Sequence, residues 1–302
     1  MGEAVTHELF RRGVFIADKP QGPTSHQVSA WARDLAGAER AGHGGTLDPR
    51  VTGVLPIAFN EATRALDALL AGDKEYVCVM ELHQDVPEDR LRAMFRRFTG
   101  PIYQMPPLRS AVKRELRVRT IHELDLLERD ARLVLFRTRC ESGTYIRTLA
   151  NDLGEALGVG AHLTDLRRTR TGPFPESEAR PLTDLQDAVA FWRQDGDDSH
   201  LRRLIIPMER LLEHLPKIVL KDTAVDAVCH GAGLAVPGIA SMDPRITKGA
   251  LVALVTAKGE GVALAHAALT PSQVDSARKG VAAETERVLM EPGTYPKGWK
   301  KS

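Results

Sequence analysis

Between Lys74 and Leu82 the chain alternates so that Tyr76, Cys78, Met80 and Leu82 fall on one side. Successive side chains of a strand point to opposite faces, so this period predicts a strand with one buried surface. Residues 132–141 alternate in the same way, with Val134, Phe136 and Cys140 together. Helical spacing appears elsewhere. A helix is predicted from 25 to about 35, with Val28, Trp31 and Leu35 on one face and Gly37 beyond its end. Glu88–Phe98 reads as a second helix stopped by Gly100-Pro101, and 145–157 as a third capped by Gly158. The order of these segments does not repeat the strand–helix unit of a parallel sheet, so the fold class is α+β.

Two stretches break the periodic pattern. Gly42-His43-Gly44-Gly45-Thr46-Leu47-Asp48-Pro49 holds three glycines and reads as a shaped loop. Pro49 stiffens the chain directly after Asp48, as a loop presenting one acid requires. Spacing alone favours a tight turn in which Asp48 makes a local hydrogen bond. Gly172-Pro173-Phe174-Pro175 and the polar residues 194–200 read as loops near the end of a first domain. From Lys217 onward short apolar strands alternate with glycines, which predicts a small, mainly β domain.

Charge is balanced overall, 41 Lys plus Arg against 40 Asp plus Glu, but it is unevenly placed. Residues 90–119 carry nine basic side chains opposed by Glu115, and Arg167, Arg168 and Arg170 form a second knot. Arginine-dominated runs beside glycine-rich loops predict a surface facing phosphate. Cys78, Cys140 and Cys229 lie far apart, which argues against a disulfide framework and a zinc site. No apolar run approaches a secretory signal or a membrane span, so a cytoplasmic protein is expected.

Longer motifs add a resemblance. Lys19-Pro20-x-Gly22-x-Thr24-Ser25-His26, the 42–49 loop continued by Thr52-Gly53-Val54-Leu55-Pro56, Ser142-Gly143-Thr144-Tyr145-Ile146-Arg147, and Leu166-Arg167-Arg168-Thr169-Arg170-Thr171-Gly172 resemble the TruB family of pseudouridine synthases. Met105-Pro106-Pro107-Leu108-Arg109-Ser110-Ala111-Val112-Lys113-Arg114 and Leu116-Arg117-Val118-Arg119-Thr120-Ile121 resemble the dyskerin-like branch. Asp222-Thr223-Ala224-Val225-Asp226, running on to Ala232, resembles the start of a PUA domain. The resemblance implies a catalytic domain with a mixed, mainly antiparallel sheet over 1–214, a small β-barrel-like PUA domain over 215–291 and a tail over 292–302.

It also implies an activity: uracil is detached from its ribose, turned and rejoined through carbon five, with no cofactor and no metal. Asp48 matches the essential aspartate, acting as nucleophile on the sugar or as base on a ribose proton. Tyr76 matches the tyrosine that stacks on the target base, and Arg147 the arginine paired with the carboxylate. His43 matches a residue near the flipped nucleotide, and Leu166 an apolar wall that keeps the acid's pocket dry. Arg109, Lys113 and Arg114 match a loop that clamps substrate RNA. Asp226, His230 and Gly231 match the part that grips guide RNA. Without the resemblance, Tyr76 is a half-buried strand residue, Arg147 a surface ion-pair partner and Leu166 ordinary core.

The implied partners are ribosomal and transfer RNA substrates, an H/ACA guide RNA, and accessory proteins of small nucleolar-protein, glycine-arginine-rich and kink-turn-binding ribosomal types, with no membrane. A stand-alone synthase acting on the tRNA T-loop is the alternative, and a non-catalytic RNA scaffold a third. Pro106-Pro107, the segment from Leu116 to Ile121 and the long PUA match favour the guide-dependent reading. Asp48, Tyr76 and Arg147 together speak against the scaffold. The basic extensions of eukaryotic dyskerin are lacking, so nucleolar targeting is not expected.

Overall fold

The computed structural model describes residues 7–105 and 115–297. Strand β1 (Gly13–Lys19) leads to helix α1 (Ser25–Ala36), β2 (Ala41–His43), β3 (Thr52–Phe59) and the short α2 (Asp67–Leu70). Next come β4 (Lys74–Leu82), α3 (Glu88–Phe98), β5 (Gly100–Gln104), β6 (Arg117–Asp130) and β7 (Leu133–Cys140). The unit closes with α4 (Ile146–Leu157), β8 (Ala161–Thr171), β9 (Phe174–Pro175), α5 (Leu182–Asp195), α6 (Ser199–Leu204) and β10 (Ile205–Pro207). These strands form one ten-stranded sheet, ordered β10-β1-β3-β8-β4-β7-β6-β5, with β2 on β3 and β9 on β8. The sheet is antiparallel except where β3 and β8 run parallel, Thr52 opposite Arg167 and Gly53 opposite Arg168.

Local sequence accounts for the elements. In β4 burial alternates as expected, with Tyr76, Cys78, Met80 and Leu82 inward. Helix α1 starts at a capping box in which Thr24 and Gln27 exchange side-chain and backbone hydrogen bonds. Helix α4 buries Ile146, Leu149, Ala150, Leu153 and Leu157 along one stripe, which leaves Arg147 on the open side. The α+β expectation holds, with several local corrections. Trp31 is exposed, whereas Val28, Ala32 and Ala36 of that helix are buried in the core and Leu35 packs against it. The 42–49 loop is partly regular, since β2 finds backbone partners on β3. Phe174–Pro175 pairs with β8 rather than looping free, and 194–200 contains the end of α5 and the start of α6.

A second unit follows: β11 (Lys217–Leu220), α7 (Asp222–Cys229), β12 (Leu234–Ala235), β13 (Ile239–Met242), β14 (Leu251–Val255), β15 (Gly261–Ala267), α8 (Pro271–Ser276) and β16 (Val281–Val288). Its six strands are ordered β12-β16-β15-β14-β11-β13. Ile218, Leu254, Val262 and Val225 of α7 lie in its own apolar core. A separate cluster joins the two units: Val14, Ile16, Phe174, Met208, Leu211 and Leu212 pack with Ala253, Val255, Leu264 and Leu289. Among the described residues no helix is long and apolar enough to cross a membrane.

Candidate active site

The chain must turn back between β2 and β3, and buried polar groups hold that return in one shape. Ser25 Oγ accepts the Leu47 N–H at 2.8 Å and donates to the Leu47 carbonyl at 3.0 Å. The Val51 N–H closes a turn on the Asp48 carbonyl at 3.0 Å, and the Gly22 N–H reaches the Pro49 carbonyl at 2.8 Å. Lys19 is fully buried, and its ammonium donates to the carbonyls of Pro20, Pro49 and Val51 at 2.8, 3.2 and 2.9 Å. Three donors thus meet three acceptors, replacing the water the ammonium lost. Burial lowers the Lys19 pKa, and the nearby Asp48 charge works in the opposite direction.

Asp48 projects from this braced loop and pairs with Arg147, Nη2 to Oδ2, at 2.8 Å. Arg147 sits in the first turn of α4, whose start is clamped from β5. The buried Gln104 side chain accepts the Tyr145 N–H at 2.9 Å and donates to the Tyr145 carbonyl at 3.1 Å. The pair itself is open to solvent, Arg147 61% and Asp48 47% exposed, so the acid does not stand in the dry pocket expected of it. An exposed ion pair adds little stability. Its use here is to hold an ionised carboxylate in one direction.

Tyr76 on β4 stands opposite Arg168 on β8, two positions from the Cys78–Leu166 pair. Cross-strand partners share a face, so Tyr76 and Arg168 meet. Burial raises the Tyr76 hydroxyl pKa, while the charge of the neighbouring Arg168 guanidinium works in the opposite direction. Leu166 is half-buried against the core that contains Tyr76. His43, at the end of β2, has both ring nitrogens buried without a protein partner and lies 4.8 Å from the His26 ring, centre to centre. Burial, with His26 and Arg168 nearby, holds its pKa down to about 4. Tyr76 and Arg168 therefore meet where β4, β8 and β3 lie side by side, and β3 is the strand that follows the Asp48 loop.

Comparison with known proteins places this arrangement. Residues 33–146 match the model of the TruB family pseudouridylate synthase N-terminal domain. Residues 147–213 match that of the tRNA pseudouridylate synthase B C-terminal domain, and 216–289 that of the PUA domain. A Methanosarcina barkeri protein named "Probable tRNA pseudouridine synthase B" is 53% identical over 294 residues, spanning 97% of this chain and 87% of its own length. The chain belongs to the TruB family. Among solved structures, this TruB-family chain is similar to a Cbf5-Nop10-Gar1 complex, with a TM-score of 0.92 and 52% identity over 95% of this chain and 88% of the other. It is also similar to an H/ACA RNP bound to a substrate RNA containing 2'-deoxyuridine, with a TM-score of 0.88 and 49% identity over 96% of this chain and 89% of the other.

The TruB-family fold does not treat all the sequence candidates alike. It brings Asp48 to Arg147, and sets Tyr76 and Leu166 on neighbouring strand pairs. Arg109, Lys113 and Arg114 lie outside the described residues. Two members of the second arginine knot are engaged within the protein. Arg167 is tied to Asp18 at 3.0 and 3.1 Å and to Glu176 at 2.9 Å, and Arg168 is 2% exposed. In the PUA unit Asp226 is buried, and its carboxylate accepts the Gly293 N–H at 2.9 Å, so it anchors the chain after β16. His230 and Gly231, just after α7, are exposed. Gln104 is a functional candidate that sequence reasoning missed, and Arg168 is read there only as part of a basic knot. Gln104 carries no signal in sequence, and what singles out Arg168, its register opposite Tyr76, is visible only in the fold.

Proposed function

We propose that this TruB-family chain converts uridine to pseudouridine in RNA as the catalytic subunit of a guide-RNA-dependent H/ACA ribonucleoprotein, with Asp48, Tyr76 and Arg147 as its catalytic set. The observation that carries the chemistry is the Asp48–Arg147 pair at 2.8 Å on a loop braced from beneath by Lys19 and Ser25. Arg147 keeps the carboxylate aimed. Tyr76 supports the extruded uracil, while His43 and Leu166 line the nucleotide. The half-exposed carboxylate becomes dry when the flipped nucleotide itself covers it. Two routes use the same geometry: attack of Asp48 on the sugar, or removal of a ribose proton to leave a glycal. In either, the uracil turns and rebonds through carbon five, so nothing is gained or lost overall.

The guide-dependent arrangement is supported by the likeness to Cbf5 in complexes that contain Nop10, Gar1 or a substrate RNA. In this reading the catalytic domain is 1–214, the PUA domain 215–291 and the tail 292–302, and the protein works in the cytoplasm. Arg109, Lys113 and Arg114 hold substrate phosphates, and the surface at His230 and Gly231 meets guide RNA. A second reading, direct action on the tRNA T-loop, is favoured by the names of relatives such as the M. barkeri protein. The test is to incubate the full chain with unmodified tRNA and with ribosomal RNA fragments, each with and without guide RNA and accessory proteins. Guide-dependent product on ribosomal RNA supports the first arrangement. T-loop product alone, unaffected by guide, overturns it.

A further inference from the structure

Arg168 is the largest fully buried side chain in the described residues. Its Nε donates to the Val54 carbonyl at 2.9 Å and its Nη2 to the Gly45 carbonyl at 3.1 Å. Gly45 lies three residues before Asp48 and Val54 six residues after, so one guanidinium ties both limbs of the loop. Its backbone is paired on both sides as well, to Gly53 of β3 and to Tyr76 of β4. The fit is close. A Cβ on Gly53, whose φ is +107°, would stand 2.1 Å from the Arg168 carbonyl oxygen, and one on Gly45, whose φ is +118°, 3.7 Å from Arg168 Nη1. The same residue stands directly across the strand pair from Tyr76, which sets the guanidinium beside that ring. Among the described residues Arg168 has no carboxylate partner, unlike its neighbour Arg167, paired with Asp18 and Glu176. A guanidinium satisfied by two carbonyls is an expensive way to fill a core, because its charge is desolvated without a counter-ion. What it supplies is a planar fork of five fixed donors, a shape no apolar residue or lysine reproduces.

We infer that Arg168 is a positioning residue of the reaction: it couples the Asp48 loop to Tyr76, so that the carboxylate and the base-supporting ring keep one separation before RNA arrives. The inference rests on the reading of Asp48 and Tyr76 given above. Arg168 does not touch substrate. It acts through the Gly45 and Val54 carbonyls on one side and its place beside the Tyr76 ring on the other. Displacements of about 1 Å at a reacting group cost on the order of 100-fold in rate, so loosening this link should appear in the chemical step and not in RNA affinity.

The test uses the full chain carrying Arg168→Lys or Arg168→Gln, on RNA labelled with tritium at uridine carbon five, in whichever arrangement, free or assembled with guide RNA and accessory proteins, the parent is active. We expect the single-turnover rate of tritium release to fall about 100-fold for the glutamine variant and about 10-fold for lysine, which keeps some donors. RNA affinity stays within about threefold and the thermal melt remains cooperative. Amide exchange at Leu47 and Val51 quickens in both variants, a change that filling the core alone would not produce. Tyr76→Phe, which alters only the Tyr76 end of the link, lowers the same rate while leaving those two amides slow. Parent-like rates in both Arg168 variants overturn the inference. So does loss of the cooperative melt in both, which would make Arg168 a residue of the core. Asp48→Asn run alongside separates the two levels. Product from it removes the active-site reading itself, whereas an inactive Asp48→Asn beside fully active Arg168 variants removes only this proposal.

Discussion

The two units of the molecule are held together by different means. In the first, polar side chains lie deep in the structure: Lys19, Ser25, Lys74, Gln104, Thr138 and Arg168 are all buried. In the second, Ile218, Leu220, Val252, Leu254 and Val262 form an apolar core, and the buried polar side chains are Asp226 and Thr256. Apolar packing is non-directional and yields a stable shape. Hydrogen bonds to backbone carbonyls specify direction: Lys19, Ser25 and Arg168 point at the loop that carries Asp48, and Gln104 at the start of the helix that carries Arg147. Direction matters where a single carboxylate has to be aimed, while a module that presents a surface needs only to keep its form.

Substitutions can break or sharpen that contrast. The largest effect belongs to Asp48→Asn, which should lower turnover at least about 1,000-fold with RNA affinity unchanged, read by tritium release and filter binding. Lys19→Met leaves the carbonyls of Pro49 and Val51 without their donor in a buried site. It should cost about 3 kcal/mol in denaturant unfolding and also reduce turnover in the folded fraction. Leu254→Ala in the second unit should cost a similar 2–5 kcal/mol, roughly, yet leave turnover of the folded, RNA-bound protein as it was. Equal loss of turnover in both variants would erase the distinction. Arg147→Ala should slow turnover about 30-fold while changing stability by less than about 1 kcal/mol, as suits an exposed pair. His230→Ala should weaken RNA binding about threefold without altering the rate at saturation.

The smallest effect is on pH dependence. His43 stays neutral in the fold down to about pH 4, whereas an imidazole in the unfolded chain takes up its proton near 6.5. Between those values the unfolded state binds the extra proton. Stability contributed by His43 is therefore complete above 6.5 and is lost as pH falls towards 4. His43→Gln should flatten that part of the stability curve, measured by urea titrations at successive pH values.

Much of this was legible in the sequence where period and burial agree. β4 and α4 could be read from alternation and from a single apolar stripe. β6 could not, because only Ile121 and Leu124 of its fourteen residues are buried and the strand is bulged twice against β7. The short β2 was hidden in a glycine-rich stretch, since its strand character comes from the β3 backbone beside it and not from its own residues. Asp48, Tyr76 and Arg147 came from motif resemblance, and Asp48 and Arg147 are in contact. Arg167, Arg168 and Arg170 read alike as letters, yet one is neutralised by Asp18 and Glu176 and one is buried. Only the pairing of β8 with both β3 and β4 separates them. Asp226 shows the same limit, because nothing in its local sequence reveals that Gly293 will claim its carboxylate.

The apolar seam between the units has a mechanical consequence. Because Met208, Leu211 and Leu212 pack with Val255, Leu264 and Leu289, the second sheet is not a bead on a string. The two sheets are held as the arms of a set square are held. If RNA is seated on the second unit as proposed above, its reach to Asp48 is set in advance, and a single large-to-small change in the seam should blur the choice of nucleotide before it slows the chemistry.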